Sequence, residues 1–166
     1  MFKKILVPYD SSKPSDKAAK YAVDLAKHIL PDSGGGCEII LLHVVPEIPA
    51  SPVFLERPVR TKTGEVIPLS EYIKRLYVEM KAHAAEMLEK KKKDLEPILN
   101  AKATIRTIVL IGDPVSDKIV ELAGNEKVDI VVIGNVGLSG ISKLKTLGSV
   151  SRGVSERASC PVLIVH

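Results

Sequence analysis

Apolar runs alternate with amphipathic segments along the whole sequence, and this alternation restricts the fold more than any other feature. Short apolar runs occupy residues 3–8, 38–45, 104–110, 128–133 and 161–165. Near-continuous apolar strands are typical of parallel sheets that helices cover on both faces. The order of the elements therefore predicts one doubly wound α/β domain over residues 1–166, with a mostly parallel sheet and right-handed crossovers.

The segments between these runs predict four helices. Apolar residues recur there at the 3.6-residue period of a half-buried helix. The predicted helices span residues 14–29, 70–96, 114–124 and 149–158. Residues 46–69 break the pattern, because they hold five prolines and no sustained periodicity. We expect a long irregular loop there, of the kind that is either functional or mobile.

Length and composition exclude several classes of protein. A chain of 166 residues with 45% hydrophobic residues is too apolar to be disordered and long enough to bury a core. No apolar run approaches the roughly 18 residues of a membrane span, and no signal peptide is expected at the start. Cys37 and Cys160 are too few for a disulfide framework or a zinc site. We therefore expect two reduced thiols and a cytoplasmic protein.

The charge balance does not argue for nucleic-acid binding. The formal net charge is +4, and Lys90–Lys93 alone account for an excess of that size. This run lies on the long predicted helix among acidic residues, so it is most simply a solvated face with i,i+4 pairs. A patch for an acidic partner or a nucleic acid is the alternative. With four Tyr, two Phe and no Trp, a stacking platform for single strands is poorly supplied.

Position in the fold selects the candidate site residues. In an open α/β sheet, ligands bind beyond the carboxyl ends of the strands, where the strand order reverses. The segments that follow strand ends are Pro8-Tyr9-Asp10, Pro46 onward, Gly112-Asp113-Pro114 and Gly134-Asn135-Val136-Gly137. Gly34–Gly36 precedes a strand and is interpreted as a helix-to-strand connection.

Two aspartates in these segments have competing interpretations. Asp10 is a candidate ribose ligand, a metal contact or a cap over the turn before the first helix. Asp113 and Pro114 have the order of an N-cap and a proline at the first helical position, which favours a structural role.

The glycine-containing stretch from Gly134 to Ser149 is the most informative. It leaves a buried strand and ends at a helix start, where Gly148-Ser149 would offer free amides and the positive end of a helix dipole. Lys143 and Lys145 would add positive charge. The stretch matches neither a P-loop nor the GxGxxG fingerprint. From the residues alone, phosphate binding and a plain turn with a cap remain open.

No catalytic or metal-binding constellation is recognisable. The four histidines do not converge with carboxylates or cysteines at the spacing of a metal site or a triad, and no GxSxG elbow occurs. Cys160 precedes a proline at a strand start, so it is interpreted as a buried small residue. We expect no catalytic residue and no protein-held metal.

Several motifs, in the order in which they occur, resemble the universal stress protein family over essentially the whole chain. They are Lys4-Ile-Leu-Val-Pro-Tyr-Asp10, Leu41-Leu-His-Val44, Gly112-Asp-Pro114, Asp129-Ile-Val-Val-Ile-Gly134, the glycine loop, Gly148-Ser-Val150 and Cys160-Pro-Val-Leu-Ile-Val165. The resemblance implies a five-stranded parallel α/β fold and a homodimer that forms through the last strand. The family divides into branches that bind ATP and branches that do not.

The resemblance favours the ATP-binding branch, which is marked by Gly-x2-Gly-x9-Gly-Ser/Thr. Gly134, Gly137, Gly148 and Ser149 match the residue types, but ten residues separate Gly137 from Gly148. The loop is thus one residue longer than the usual pattern, and loops absorb one insertion at small entropic cost.

The resemblance also implies a role for individual residues. Pro8, Tyr9 and the backbone around Val44 would border the adenine, and Asp10 would accept a hydrogen bond from the ribose. Gly112 and Gly134 would lie near the sugar and phosphates, with the phosphates on Gly137, Gly148, Ser149 and Val150. The complete implied nucleotide site is Pro8, Tyr9, Asp10, Val44, Gly112, Ile133, Gly134, Gly137, Gly148, Ser149 and Val150. Mg or Mn would be held by the phosphates, because no carboxylate cluster is available to hold the ion.

The sequence thus predicts an ATP-binding, nucleotide-responsive module of the stress response, with at most weak ATP hydrolysis. A protein-interaction module of the same fold that binds no nucleotide is the alternative, favoured by the extra residue in the glycine loop. A true adenine-nucleotide hydrolase or transferase lacks a catalytic constellation.

Overall fold

The computed structural model describes residues 3–29, 36–99, 103–137 and 147–166. Along the chain, the strands and helices are β1 (Lys4–Pro8), α1 (Lys13–Ile29), β2 (Cys37–Val45), β3 (Pro58–Arg60), β4 (Val66–Pro68), α2 (Leu69–Leu95), β5 (Ala103–Ile111), α3 (Val115–Asn125), β6 (Ile130–Gly134), α4 (Ser149–Arg157) and β7 (Val162–Val165). Short 3-10 turns at Pro52–Phe54 and Glu96–Ile98 complete the described elements.

Five of the strands form one parallel sheet in the order β5-β2-β1-β6-β7. The chain builds outward from β1 to β2 and β5, then returns to the other side of β1 with β6 and β7. The strand order therefore reverses between β1 and β6. This reversal is the position at which an open α/β sheet leaves a crevice beyond its carboxyl edge.

Helices cover both faces of the sheet, as the near-continuous apolar strands predict. Odd-numbered residues of β1 and β2, such as Ile5 and Leu41, pack with α1 and the second half of α2. Even-numbered residues such as Leu6 and Leu42 pack with α3 and α4. The two-residue period of a strand sends alternate side chains to opposite faces, so each strand contributes to both cores. The five-stranded α/β prediction is confirmed.

The segment 46–69 is more ordered than its sequence suggests. It contains the 3-10 turn and an antiparallel hairpin in which Val59 pairs with Ile67. Gly64 lies in the hairpin loop with φ +88°, a conformation that glycine adopts without a steric cost. Three-residue strands are too short to show a period-two pattern, which explains why they are hard to recognise in the sequence. The hairpin is joined to α2 by an ion pair of 2.7 Å between Glu65 and Arg75.

Two local expectations need correction, and one lies outside the described residues. Helix α3 begins after Pro114, whose extended backbone (φ −67°, ψ 143°) makes Pro114 the N-cap instead of Asp113. Cys160 is half-buried, whereas Cys37 is buried; both thiols are free. Of the expected glycine connection at 34–36, only Gly36 is described.

An ion-pair network lies at the amino ends of the strands, opposite the crevice. Arg106 donates to Glu38 at 2.8 Å and to Glu126 at 2.8 Å, and Lys4 lies 3.0 Å from Glu126. The hydrogen bond from Arg106, with that from Lys4, lowers the pKa of the Glu126 carboxyl to about 2. Two cations thus balance two anions where β1, β2 and β5 meet the end of α3. None of the helices built by the described residues is both long and apolar enough to cross a lipid bilayer.

Candidate functional site

A cavity of about 470 Å³ opens at the carboxyl edge of the sheet, at the reversal between β1 and β6. This volume lies within the roughly 300–1,000 Å³ of small-molecule sites. One wall is apolar and formed mainly by Leu42, Val44, Val115, Ile119, Ile133 and Val150. The polar lining residues include Asp10 and four serines: Ser12, Ser15, Ser149 and Ser151. An apolar wall facing a few polar groups suits a planar ring with a polar substituent.

The structure brings together all but one of the residues that the sequence predicts for the site. Those that line the cavity are Pro8, Tyr9, Asp10, Val44, Ile133, Gly134, Gly137, Gly148, Ser149 and Val150. Gly112 is the exception. Its amide donates to the carbonyl of Val45 at 3.1 Å, and the side chain of Lys118 covers its Cα. Gly112 therefore supports the end of β5 without reaching the cavity.

The turn between β1 and α1 presents polar groups to the cavity. The backbone N–H of Ser12 donates to Asp10 Oδ1 at 3.0 Å, which is the Asx turn that aspartate favours. Ser12 then caps α1, because its Oγ accepts from the N–H of Ser15 at 3.3 Å. Ser11, between Asp10 and Ser12, has φ 63°. One oxygen of Asp10 thus holds the turn, so the capping interpretation is correct for Oδ1, while the residue also lines the cavity.

Two glycines at the end of β6 allow close approach. A Cβ on Gly134 would lie 2.7 Å from Pro14 Cβ and 2.9 Å from the backbone nitrogen of Ser15. A Cβ on Gly137 would lie 2.7 Å from Asp10 Oδ2. The absence of side chains at these positions lets the turn before α1 contact the segment after β6. This contact is what forms one side of the cavity.

The start of α4 supplies hydrogen-bond donors to the other end of the cavity. The first bond of the helix runs from the N–H of Arg152 to the carbonyl of Gly148 at 3.0 Å. The amides of Ser149, Val150 and Ser151 precede that bond and belong to the set that an α-helix leaves without intrahelical acceptors. Ser151 Oγ donates to the carbonyl of Asn135 at 2.7 Å, which fixes this helix start against β6. Such a helix start favours an anionic group.

The described lining of the cavity contains no lysine or arginine. Among those lining residues, positive potential at the cavity comes from the helix start and its amides. Lys143 and Lys145, which the sequence offers as further cations, lie outside the described residues, as does most of the glycine loop, residues 138–146. Over the described ranges, no group of three His, Cys, Asp or Glu side chains is arranged to hold a metal ion.

Tyr9 connects the cavity to the helices behind it. Its N–H donates to the carbonyl of Leu42 at 2.8 Å, and its carbonyl accepts from Nδ1–H of His43 at 2.8 Å. Its hydroxyl donates to Asp16 Oδ1 at 2.8 Å, and Lys91 Nζ lies 2.6 Å from the same oxygen. Lys91 therefore does not belong to the solvated face expected for Lys90–Lys93, because its side chain is only 14% exposed.

The ionisation of this group follows from its surroundings. Burial raises the pKa of the Tyr9 phenol far above its usual value, and the hydrogen bond to Asp16 raises it further. Burial alone would raise the pKa of Asp16 as well. The hydrogen bonds from Lys91 and Tyr9 outweigh burial, and the pKa of Asp16 is lowered. At neutral pH, Tyr9 is thus a neutral donor to a carboxylate.

Several lining residues were missed from the sequence. They are Ser12, Ser15, Leu42, His43, Pro46, Val115, Ile119, Val136 and Ser151. Pro46 and Val136 lie in segments that the position rule named, although they were not assigned to the nucleotide site, and Val115 directly follows such a segment. Ser151 lies in the first turn of α4, two residues after the predicted Ser149, and reaches the cavity through the position of that helix.

Comparisons with known proteins agree with this architecture. The sequence model of the universal stress protein family matches residues 1–166. Universal stress protein YxiE of Bacillus subtilis is 35% identical over 166 residues, which cover 100% of both chains.

Solved structures are similar over nearly the full length. The structure of MJ0577, a universal stress protein of Methanocaldococcus jannaschii, is similar with a TM-score of 0.72 and 28% identity, covering 99% of this chain and 96% of that one. A universal stress protein solved in complex with cAMP is similar with a TM-score of 0.61 and 24% identity, covering 99% and 97%.

Proposed function

Because this chain belongs to the universal stress protein family, we propose that it is a nucleotide-responsive module that binds ATP in the cavity at the carboxyl edge of its sheet. The observation that carries the proposal is the composition of that cavity. Apolar side chains, one carboxylate and a helix start that offers amides and hydroxyls line the same cavity. A protein of the same fold was solved in complex with cAMP.

Each part of ATP has a complementary part of the cavity. The adenine would lie against Val44 and Ile133, with Pro8 and Tyr9 at its edge. The ribose would lie near Asp10, whose carboxylate accepts hydroxyl hydrogen bonds. The phosphates would lie at the start of α4, on Gly148 and the residues after it. Because the described lining offers no carboxylate cluster, Mg or Mn would be held chiefly by phosphate oxygens.

The cavity favours binding over catalysis. Asp10 is the only carboxylate that lines the described part of the cavity, and one of its oxygens is occupied by the turn. A general base must lie within hydrogen-bond reach of the nucleophile that it activates. We propose that hydrolysis of ATP is at most slow and that the bound nucleotide acts as a signal.

Calorimetric titration of the purified protein with ATP and magnesium tests the proposal, and titration with GTP tests whether the cavity selects adenine. We expect binding of ATP and weaker binding of GTP. Gly148→Leu adds a side chain to a residue that lines the cavity, where the Cβ alone would lie 3.4 Å from the carbonyl oxygen of Asn135. This variant should not bind ATP. Gly124→Leu is the matched control, because no atom lies within 4 Å of its Cβ. Absence of ATP binding by the wild-type protein at millimolar concentration would refute the proposal.

A protein-interaction module that binds no nucleotide is the second candidate. The ten residues between Gly137 and Gly148, one more than the family's usual nine, favour it. Under this candidate, Gly148→Leu leaves partner binding intact and the wild-type protein gives no heat with ATP. Mass spectrometry of small molecules released on denaturing the freshly purified protein distinguishes the two candidates, because only the first predicts an adenine nucleotide.

We further propose that the protein is a cytoplasmic homodimer that pairs through β7. β7 is an edge strand of the sheet, and Leu163 on it is 36% exposed. Exposed strand edges with apolar side chains pair readily with another chain. The two free cysteines of the protein suit a reducing compartment such as the cytoplasm. Sedimentation should show a dimer, and Leu163→Lys should shift it toward monomer. A wild-type monomer at micromolar concentration would refute this part.

A further inference from the structure

Three side chains behind the cavity form a connected group that is here named the clamp: Tyr9 at the end of β1, Asp16 in the first turn of α1 and Lys91 on α2. Asp16 Oδ1 accepts from the Tyr9 hydroxyl at 2.8 Å and lies 2.6 Å from Lys91 Nζ. The same ammonium lies 5.4 Å from the centroid of the Tyr9 ring, within the range of a cation–π contact. Each member therefore contacts the other two.

The clamp joins the two ends of the loop that carries polar groups into the cavity. This loop comprises residues 10–15, that is the turn after β1 together with residues 13–15 at the start of α1, with Tyr9 immediately before it and Asp16 immediately after it. Asp10, Ser12 and Ser15 on this loop all line the cavity. The hydrogen bond between Tyr9 and Asp16 thus closes the loop at its base, as a short side-chain bridge across seven residues.

Lys91 is the one member of the clamp that lies far from the other two along the chain. It lies in the second half of α2, on the turn after Leu88, which is fully buried beneath the sheet. The packing of Leu88 fixes the register of α2 against the sheet, and this in turn aims Lys91 at Asp16. The side chain of Lys91 is 14% exposed, whereas Lys90 and Lys93 are exposed and Lys92 pairs with Glu96 at 3.9 Å.

We propose that Lys91 is a positioning residue for nucleotide binding, which holds the loop of Asp10, Ser12 and Ser15 in its binding geometry through Asp16 and Tyr9. The inference rests on the proposed function. Lys91 does not line the cavity, so it acts through the clamp. A loop that is ordered before the ligand arrives costs less conformational entropy on binding, and this gain appears as affinity.

The test compares Lys91→Ala with Lys92→Ala by calorimetric titration with ATP and magnesium, at low and high salt. The two variants remove the same charge from neighbouring positions of one helix. We expect Lys91→Ala to weaken binding by about fivefold, the ratio that corresponds to about 1 kcal/mol for a partly exposed ion pair. Lys92→Ala should bind as the wild type does.

Three further variants, two single and one double, separate positioning from general stability. Lys91→Arg keeps the charge and should recover most of the affinity. Asp16→Asn should weaken binding, and adding Lys91→Ala to it should weaken binding no further, because the ion pair is already lost. The denaturation midpoint of each variant, measured without nucleotide, shows that the proteins compared are folded at the assay temperature.

The outcomes are distinguishable. Equal affinity of Lys91→Ala and Lys92→Ala for ATP overturns the inference and leaves the proposed function standing. Additive losses in the Asp16 and Lys91 double variant also overturn it, since the two residues would then act independently. A wild-type protein that binds no ATP overturns the proposed function and this inference with it.

Discussion

Adding one methyl group at Gly134 should destabilise the protein, because the strand and helix on either side of this residue are already in contact. A Cβ at this position would lie 2.7 Å from Pro14 Cβ, 2.8 Å from the carbonyl carbon of Pro14 and 2.9 Å from the nitrogen of Ser15. Carbon atoms pack best at about 3.5–4.0 Å, so Gly134→Ala requires a displacement of about 0.8 Å. Two of the three atoms are backbone, so the start of α1 must move away from β6.

The expected cost follows from that displacement. Overpacking a buried position typically costs about 1–3 kcal/mol, and Gly134 is buried with backbone on the opposing side. We expect a loss of about 2 kcal/mol in the free energy of unfolding. For a domain of this size, the melting temperature should fall by about 4–8 °C.

Gly124→Ala is the matched control, since it adds the same methyl group elsewhere. Gly124 lies inside α3, and no atom lies within 4 Å of its Cβ. Gly124 lies in the last turn of α3, and alanine is a better helix former than glycine, so this variant should be at least as stable as the wild type. Urea unfolding of the three proteins without nucleotide measures both effects. If Gly134→Ala unfolds at the wild-type urea concentration, the close contact between β6 and α1 is not as described.

Three further perturbations test other parts of the structure. Gly153→Ala should lower the free energy of unfolding in urea by about 1–2 kcal/mol, because its Cβ would lie 2.9 Å from Ser116 Cβ. Adding Ser116→Gly should recover part of the loss. No recovery would contradict a contact between α3 and α4 at this point. Since the folded pKa of Glu126 is about 2 and its usual value is 4.5, its contribution to stability should be complete above pH 4.5 and disappear as the pH falls toward 2. Arg106→Leu should therefore lower the unfolding free energy by about 1 kcal/mol at pH 6 and by much less at pH 2; equal losses at both pH values would contradict the ion-pair network. Burial raises the pKa of the Cys37 thiol, so Cys37 should react with a thiol reagent only on unfolding; rapid labelling of that residue in the native protein, located by mass spectrometry in a peptide digest, would show that it is accessible.

Much of the fold could be predicted from the sequence because the responsible signals are local. The apolar run before Pro46 and the apolar stripe of α1 each extend over enough residues for a strand or a helix to be recognised from the hydrophobic pattern. The element bounds agree with the prediction within one or two residues. The hairpin at 58–68 was missed because three-residue strands carry no measurable period.

The candidate site could be predicted in part, for a related reason. Residues that follow strand ends are recognisable once the strands are, which is why Asp10 and Gly134 were selected. Ser149 was selected because it starts a helix after the glycine-containing stretch, and all three line the same cavity. Ile119 inside α3 and Ser151 in the first turn of α4 also line it. Which helical side chain reaches a cavity depends on how that helix lies on the sheet, and no local pattern records that orientation.

Lys91 shows most clearly what the sequence determined and what only the tertiary structure decided. Composition and periodicity by themselves determined the α/β class, the order of strands along the chain and the side of the sheet where a ligand would bind. Within Lys90–Lys93, however, four identical residues follow one another, so residue type alone does not distinguish them. Only the packing of α2 on the sheet, fixed by residues such as Leu88, turns one lysine toward Asp16, while Lys90 and Lys93 stay exposed. The difference arises because a helix rotates each successive residue by about 100°, and the burial of its apolar face decides which direction is inward.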